Sequence, residues 1–174
     1  MTLILKQIFS LLKALNSDTG ENQIAAGITC GLILGFSPMF SLQTILVFII
    51  LFFFRVQVGA VFASAFFFAV LGLILDPAFV VVGEIVLESS ALESLFIVMY
   101  NMPIIPFTKF NNSVVMGAAV VGVIISPLIF ILSKKLIIKY RISILEKFKN
   151  TKFWKAVKAT SFYKWYAKYD ELYG

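Results

Sequence analysis

The chain contains no histidine, a single cysteine and, before residue 134, only four basic residues: Lys6, Lys13, Arg55 and Lys109. Without histidine the commonest general base and metal ligand is missing, and one thiol, Cys30, cannot close a disulfide within the chain. Charged residues make up 14% of the sequence, against roughly 25% in an ordinary soluble domain. Too few polar side chains remain to clothe a soluble monomer of this size, so the surplus apolar surface is expected to face lipid. The carboxylates fall at segment boundaries, and no nucleophile, base and orienting group can be assembled from motifs. An enzyme would have to rest on Glu84, Glu88 or Glu93 alone. Neither catalysis nor a cofactor or metal is expected.

What the sequence has in abundance is apolar length. Of its 174 residues 60% are hydrophobic, and mean hydropathy is +0.97. The uncharged stretches Asn22 to Phe54 and Asn111 to Ser133 both exceed the roughly 20 residues that span a bilayer. An all-α integral membrane protein follows, divided into residues 1–20, a membrane domain over 21–135 and a basic tail over 136–174. Eleven of the fifteen Lys and Arg fall after residue 133. Lys134, Lys135, Lys139 and Arg141, directly behind the last apolar run, therefore place the carboxyl end in the cytoplasm. Between Asp76 and Lys109 the acids Asp76, Glu84, Glu88 and Glu93 predominate, as suits an outward-facing segment.

Residues 2–15 set Leu3, Ile4, Ile8, Leu11, Leu12 and Leu15 on one helical face and Lys6, Gln7, Ser10 and Lys13 on the other. This is the pattern of an amphipathic helix in the membrane interface; docking on the protein's own bundle is the alternative. The 33 residues from Asn22 to Phe54 would make a straight helix about 50 Å long against a hydrocarbon core of about 30 Å. A break is supplied at Gly35-Phe36-Ser37-Pro38, where Gly35 can close one helix, Ser37 can cap the next and Pro38 fits its first turn. Each arm is short for a full crossing. A re-entrant hairpin from the cytoplasm is favoured over two short spans.

Residues 56–75 form a full span that Asp76-Pro77 is expected to end, with Asp76 capping the next helix. Residues 77–89 and 91–102 then make an outer-leaflet hairpin stopped by Pro103 and Pro106. Asn111 and Asn112 start the final span, 112–133, which Ser126-Pro127 should kink. Two full spans and two hairpins result, with both termini cytoplasmic. The segments Asn22 to Pro38 and Asn111 to Pro127 each run from Asn to Ser-Pro in seventeen residues, a faint echo of an inverted repeat. In the tail, lysines alternate with aromatics, including Trp154 and Trp165. Lys6, Lys13, Lys134, Lys135, Lys139, Arg141 and these two tryptophans are candidate membrane-surface anchors for anionic headgroups. Lipid is favoured over single-stranded nucleic acid as the partner of such a mixture.

The candidate polar site within the membrane comprises Gly35, Phe36, Ser37, Pro38, Ser41, Gln43 and Thr44, together with Asp76. Ser41 and Thr44 share a helix face, and Gln43 can donate to a carbonyl of a neighbouring helix. The plainer reading is that these groups satisfy the broken backbone and bind helices together. Gly27, Gly31 and Gly35 make a small-residue stripe for close helix packing.

The string Gly35-Phe36-Ser37-Pro38-Met39-Phe40-Ser41-Leu42-Gln43-Thr44, with Leu75-Asp76-Pro77 and the stretch from Pro103 to Asn112, resembles the bacterial membrane family known as domain of unknown function 2062. The likeness covers roughly residues 20–135. Asn101-Met102-Pro103 and Phe110-Asn111-Asn112 are similar to its small stand-alone members, and Ser41 departs from the glycine more usual at that point. The resemblance implies an inner-membrane protein and brings no catalytic residues with it. The expected role is non-enzymatic: handling lipid or supporting an envelope assembly, with a second copy or a larger envelope protein as partner. The alternative is a small oligomeric transporter or channel of inverted units meeting at Ser37 and Asp76.

Overall fold

A computed structural model describes residues 3–38 and 40–145, all of their regular structure helical. The helices are α1 (Leu3–Asn16), α2 (Glu21–Phe36), α3 (Leu42–Phe53), α4 (Val58–Leu87), α5 (Glu93–Tyr100) and α6 (Ser113–Tyr140), with a 3₁₀ turn at Ile105–Thr108. The chain divides into two compact units after Lys135. In the second, the last residues of α6 pass into a π-helical segment, Arg141–Leu145. The tail aromatics Trp154 and Trp165 lie outside the described residues.

Glycine determines how the first unit packs. A Cβ on Gly27 would come 2.7 Å from the Gln57 carbonyl oxygen, one on Gly31 would overlap the Ser64 hydroxyl, and one on Gly35 would lie 2.6 Å from Phe68 Cβ. The partners on α4 rise in step with the glycines on α2, so the two helices run parallel with their backbones in close approach. Because α2 and α4 run the same way, the segment between them must turn back, and α3 is that return. The Gln57 N–H donates to Gln23 O at 3.2 Å, tying the start of α4 to the start of α2. Thus α2 and α3 form a helical hairpin whose ends meet. Cys30, Val47 and Val61 supply one buried residue each from α2, α3 and α4 to the core between them.

Two further glycines fix α6. A Cβ on Gly83 would strike the Ser113 carbonyl, and one on Gly117 the Phe79 carbonyl. The numbering now runs in opposite senses, so α6 is antiparallel to α4. The Asn112 side chain caps α6 by accepting the Val115 N–H at 3.2 Å. Asn111 takes no such part.

Several boundaries differ from those expected. Helix α4 runs unbroken through Pro77, so Asp76 caps nothing and residues 77–87 belong to the long helix rather than to an outer hairpin. A proline removes one N–H donor, but the apolar sequence continues on both sides, and Phe79 and Gly83 seat the helix on α6 immediately beyond it. Likewise α6 passes through Pro127 and extends past residue 133 to Tyr140; the Ser126 hydroxyl donates to Gly122 O at 2.6 Å one turn below. The two Asn-to-Ser-Pro segments therefore do different things. The first ends in a turn at Ser37, and the second continues as helix.

Helix α1 packs on α4. Its inner face is Gln7, Ser10, Leu11 and Ala14, at helical spacing, with Ala14 buried, while Ile4, Leu5, Ile8, Phe9 and Leu12 are exposed. The expected apolar face is thus divided: Leu11 and the part-buried Leu15 turn inward beside the small and polar residues, while Leu3, Ile4, Ile8 and Leu12 point away, flanked by Lys6 and Lys13.

Candidate functional site

The turn between α2 and α3 is built by local rules. Proline disfavours helical backbone in the residue before it, and Ser37 accordingly adopts φ −106° and ψ 142°, ending α2 one residue beyond Gly35. Gly35 keeps helical backbone and serves in packing instead of closing the helix. Phe36 anchors this end: its ring meets Phe68 edge to face at 6.0 Å and Phe79 at 5.0 Å. Pro38 lies in the turn, outside α3, and the helix is capped by Ser41 rather than Ser37. The sequence offered two serines followed by helix formers. The choice falls on Ser41 because its hydroxyl can serve Thr44, three residues on.

That pair forms a closed relay. Ser41 Oγ accepts the Thr44 N–H at 3.3 Å, and the Thr44 hydroxyl donates to Pro38 O at 2.9 Å. The 3.0 Å contact between the two hydroxyls must then carry the Ser41 proton, since Thr44 has spent its own. Gln43 reaches out of the hairpin and donates from Nε2 to Val115 O in the first turn of α6 at 2.8 Å. All three side chains are buried. Ser37 Oγ, in contrast, is buried without a hydrogen-bond partner. The cluster spends its polar groups on the turn and on α6, and it holds no charge.

Asp76 is half-buried, one turn beyond Gly72 and one before Phe79 on α4, and both of these meet Phe36. It shares a face with the hairpin tip, but no bond joins it to Ser37, Ser41, Gln43 or Thr44. Among the described residues its carboxylate has no hydrogen bond or ion pair. Of the expected surface anchors, Lys6, Lys13, Lys135 and Lys139 are exposed, whereas Lys134 and Arg141 are partly covered.

A second place was not singled out from the sequence. A cleft of about 380 Å³ opens between the end of α4, helix α5 and the loop before α6. Leu87, Phe96, Ile97 and Phe110 give it apolar walls, and Glu93, Tyr100, Asn101 and Asn111 bring polar groups. The available signal was the spacing of Glu93, Phe96, Ile97 and Tyr100, which places all four on one face of a short helix.

The class of protein is thus an all-helical one in which two helices, Val58–Leu87 and Ser113–Ser143, are long and apolar enough to cross a membrane. The family model described as "Uncharacterized protein conserved in bacteria (DUF2062)" matches residues 8–144, and the chain belongs to that family. No curated protein and no solved structure shows significant similarity to the chain.

Proposed function

We propose that this is a non-enzymatic, multi-pass protein of the bacterial inner membrane that handles lipid, with both termini cytoplasmic and α2–α3 as a re-entrant hairpin. The observation that carries this reading is the outward placement of apolar side chains. In the most apolar windows of the two long helices only 28% and 22% of residues are buried, far too little for the core of a soluble protein. Leu73, Ile74, Ile124 and Leu128 on those helices, and Phe48 and Phe52 on α3, all face outward. The apolar outer stripe of α1, bordered by lysines, suits a helix lying against anionic headgroups. The Gln57 to Gln23 bond supports a hairpin that enters and leaves on one side. The self-satisfied relay at Ser41 and Thr44 supports the plainer role for the turn, shelter for a broken backbone at depth, rather than a ligand site.

The test is reconstitution of the full chain into liposomes containing a fluorescent phospholipid, with dithionite added outside. Lipid movement bleaches well beyond the outer-leaflet half, and bleaching that stops at about half overturns the lipid-moving reading.

A second reading, a small ion or proton path, is favoured by one observation: the half-buried carboxylate of Asp76 on an apolar helix, without a partner among the described residues. It requires ion flux from the same liposomes that is lost in Asp76→Asn.

A further inference from the structure

Resting on the lipid-handling reading, we propose that the cleft beside α5 binds the ammonium group of an amine-bearing amphiphile, with Glu93 as counter-ion and Tyr100, Phe96 and Phe110 as its aromatic wall. The cleft has the volume of a small-ligand site and combines apolar walls with a few polar groups, and it is open to the outside, with Glu93, Ile97 and Tyr100 exposed.

Three features set the chemistry. First, Glu93 is the charged residue lining the cleft, and its carboxylate makes no ion pair or hydrogen bond among the described residues, so its charge is available to a ligand. Second, acids predominate in this part of the chain: from Asp76 to Asn111 it carries four carboxylates against one base, Lys109, a balance that favours cations over anions. Third, the rings are held in place. Phe110 is buried, and its ring lies 6.2 Å from that of Phe96, so the two form a fixed surface. An ammonium group is the common ligand whose charge suits both a carboxylate and aromatic faces.

The apolar part of the ligand is suggested by what adjoins the cleft. Leu87 and Ile97 line it, and Leu95, Val98, Ile104 and Phe107 on or next to α5 are exposed. A hydrocarbon chain leaving the cleft would meet apolar surface, whereas a small hydrophilic amine would gain nothing from it. Asn101 spends one amide proton on Ile97 O at 2.8 Å and keeps its carbonyl oxygen, which can accept from an ammonium N–H.

Native mass spectrometry of the full chain released from detergent micelles tests this. The probes are lysophosphatidylethanolamine, lysophosphatidylglycerol, dodecylamine and free ethanolamine at equal concentrations. The expected result is at least about a five-fold preference for the ethanolamine lipid over the glycerol lipid, binding of dodecylamine, and little binding of free ethanolamine. Glu93→Gln should erase the preference, and Glu84→Gln should leave it intact. Glu93 is exposed, so its variant is expected to fold, and an unchanged melting temperature would verify that. Retention of both lysolipids without preference, or a preference that survives Glu93→Gln, overturns the site while leaving lipid handling standing. Free ethanolamine bound as well as the lipid would identify a soluble amine as the ligand and overturn the amphiphile. Absence of any retained lipid would count against the lipid-handling reading itself.

Discussion

At the scale of single residues, the fold depends on where a methyl group can be added. Gly117 and Gly122 are little more than a turn apart on α6, yet a Cβ on the first strikes the Phe79 carbonyl, while one on the second meets only Ile33 Cγ1 at 3.9 Å. Gly117→Ala is therefore expected to cost about 2–3 kcal/mol, lowering the melting temperature in detergent by about 5–10 °C. Gly122→Ala, relieved of glycine's poor helix propensity, should be neutral or stabilising by up to about 1 kcal/mol. The two serines of the turn offer a similar contrast. Ser41→Ala removes a helix cap and opens the relay to Thr44 and Pro38, at a cost of about 1–2 kcal/mol. Ser37→Ala removes a buried hydroxyl that has no partner, and is expected to leave stability unchanged or raise it. Equal destabilisation by both would put the cap in the wrong place. Gln43→Leu should cost about 1 kcal/mol, because Val115 O keeps its bond within α6 when the amide is lost.

At the scale of elements, what the sequence revealed depended on how local the deciding interaction was. The break after Phe36 was legible because 33 uncharged residues exceed one crossing and proline disfavours helix in the residue before it, although Ser-Pro alone does not decide, since α6 runs through Ser126-Pro127; the start of α6 was legible in the pair Asn111-Asn112, of which Asn112 is the cap. Pro77 misled, since whether a proline ends a helix depends on what packs beyond it, and the seat of Phe79 and Gly83 on α6 is nonlocal. The glycine stripe of α2 was recognisable as a packing face, but nothing in its spacing identified α4 as the partner or made the pair parallel. Ser41, Gln43 and Thr44 could be picked out as polar residues in an apolar run; which carbonyls they serve could not. The cleft at α5 escaped because it is assembled from three separated segments, of which only the α5 face has a recognisable period.

At the scale of the whole molecule, the proposed topology makes a prediction for chemical labelling. In a Cys30→Ala background, single cysteines at Glu21 and Arg55 should react with a membrane-impermeant maleimide from the same face, the cytoplasmic one. A cysteine at Glu88, beyond the end of α4, should react from the other. Reaction of Glu21→Cys and Arg55→Cys from opposite faces would exclude the hairpin.

The parallel seating of α2 on α4 also orders events during synthesis. The surface that receives Gly27, Gly31 and Gly35 is made of residues 57 to 69, translated some thirty codons after the glycines themselves. A nascent chain that has just released α2 and α3 carries two short apolar rods without the α4 surface on which the glycines seat. On the proposed re-entrant topology they are expected to stay shielded until the third rod emerges, so that all three enter the bilayer together.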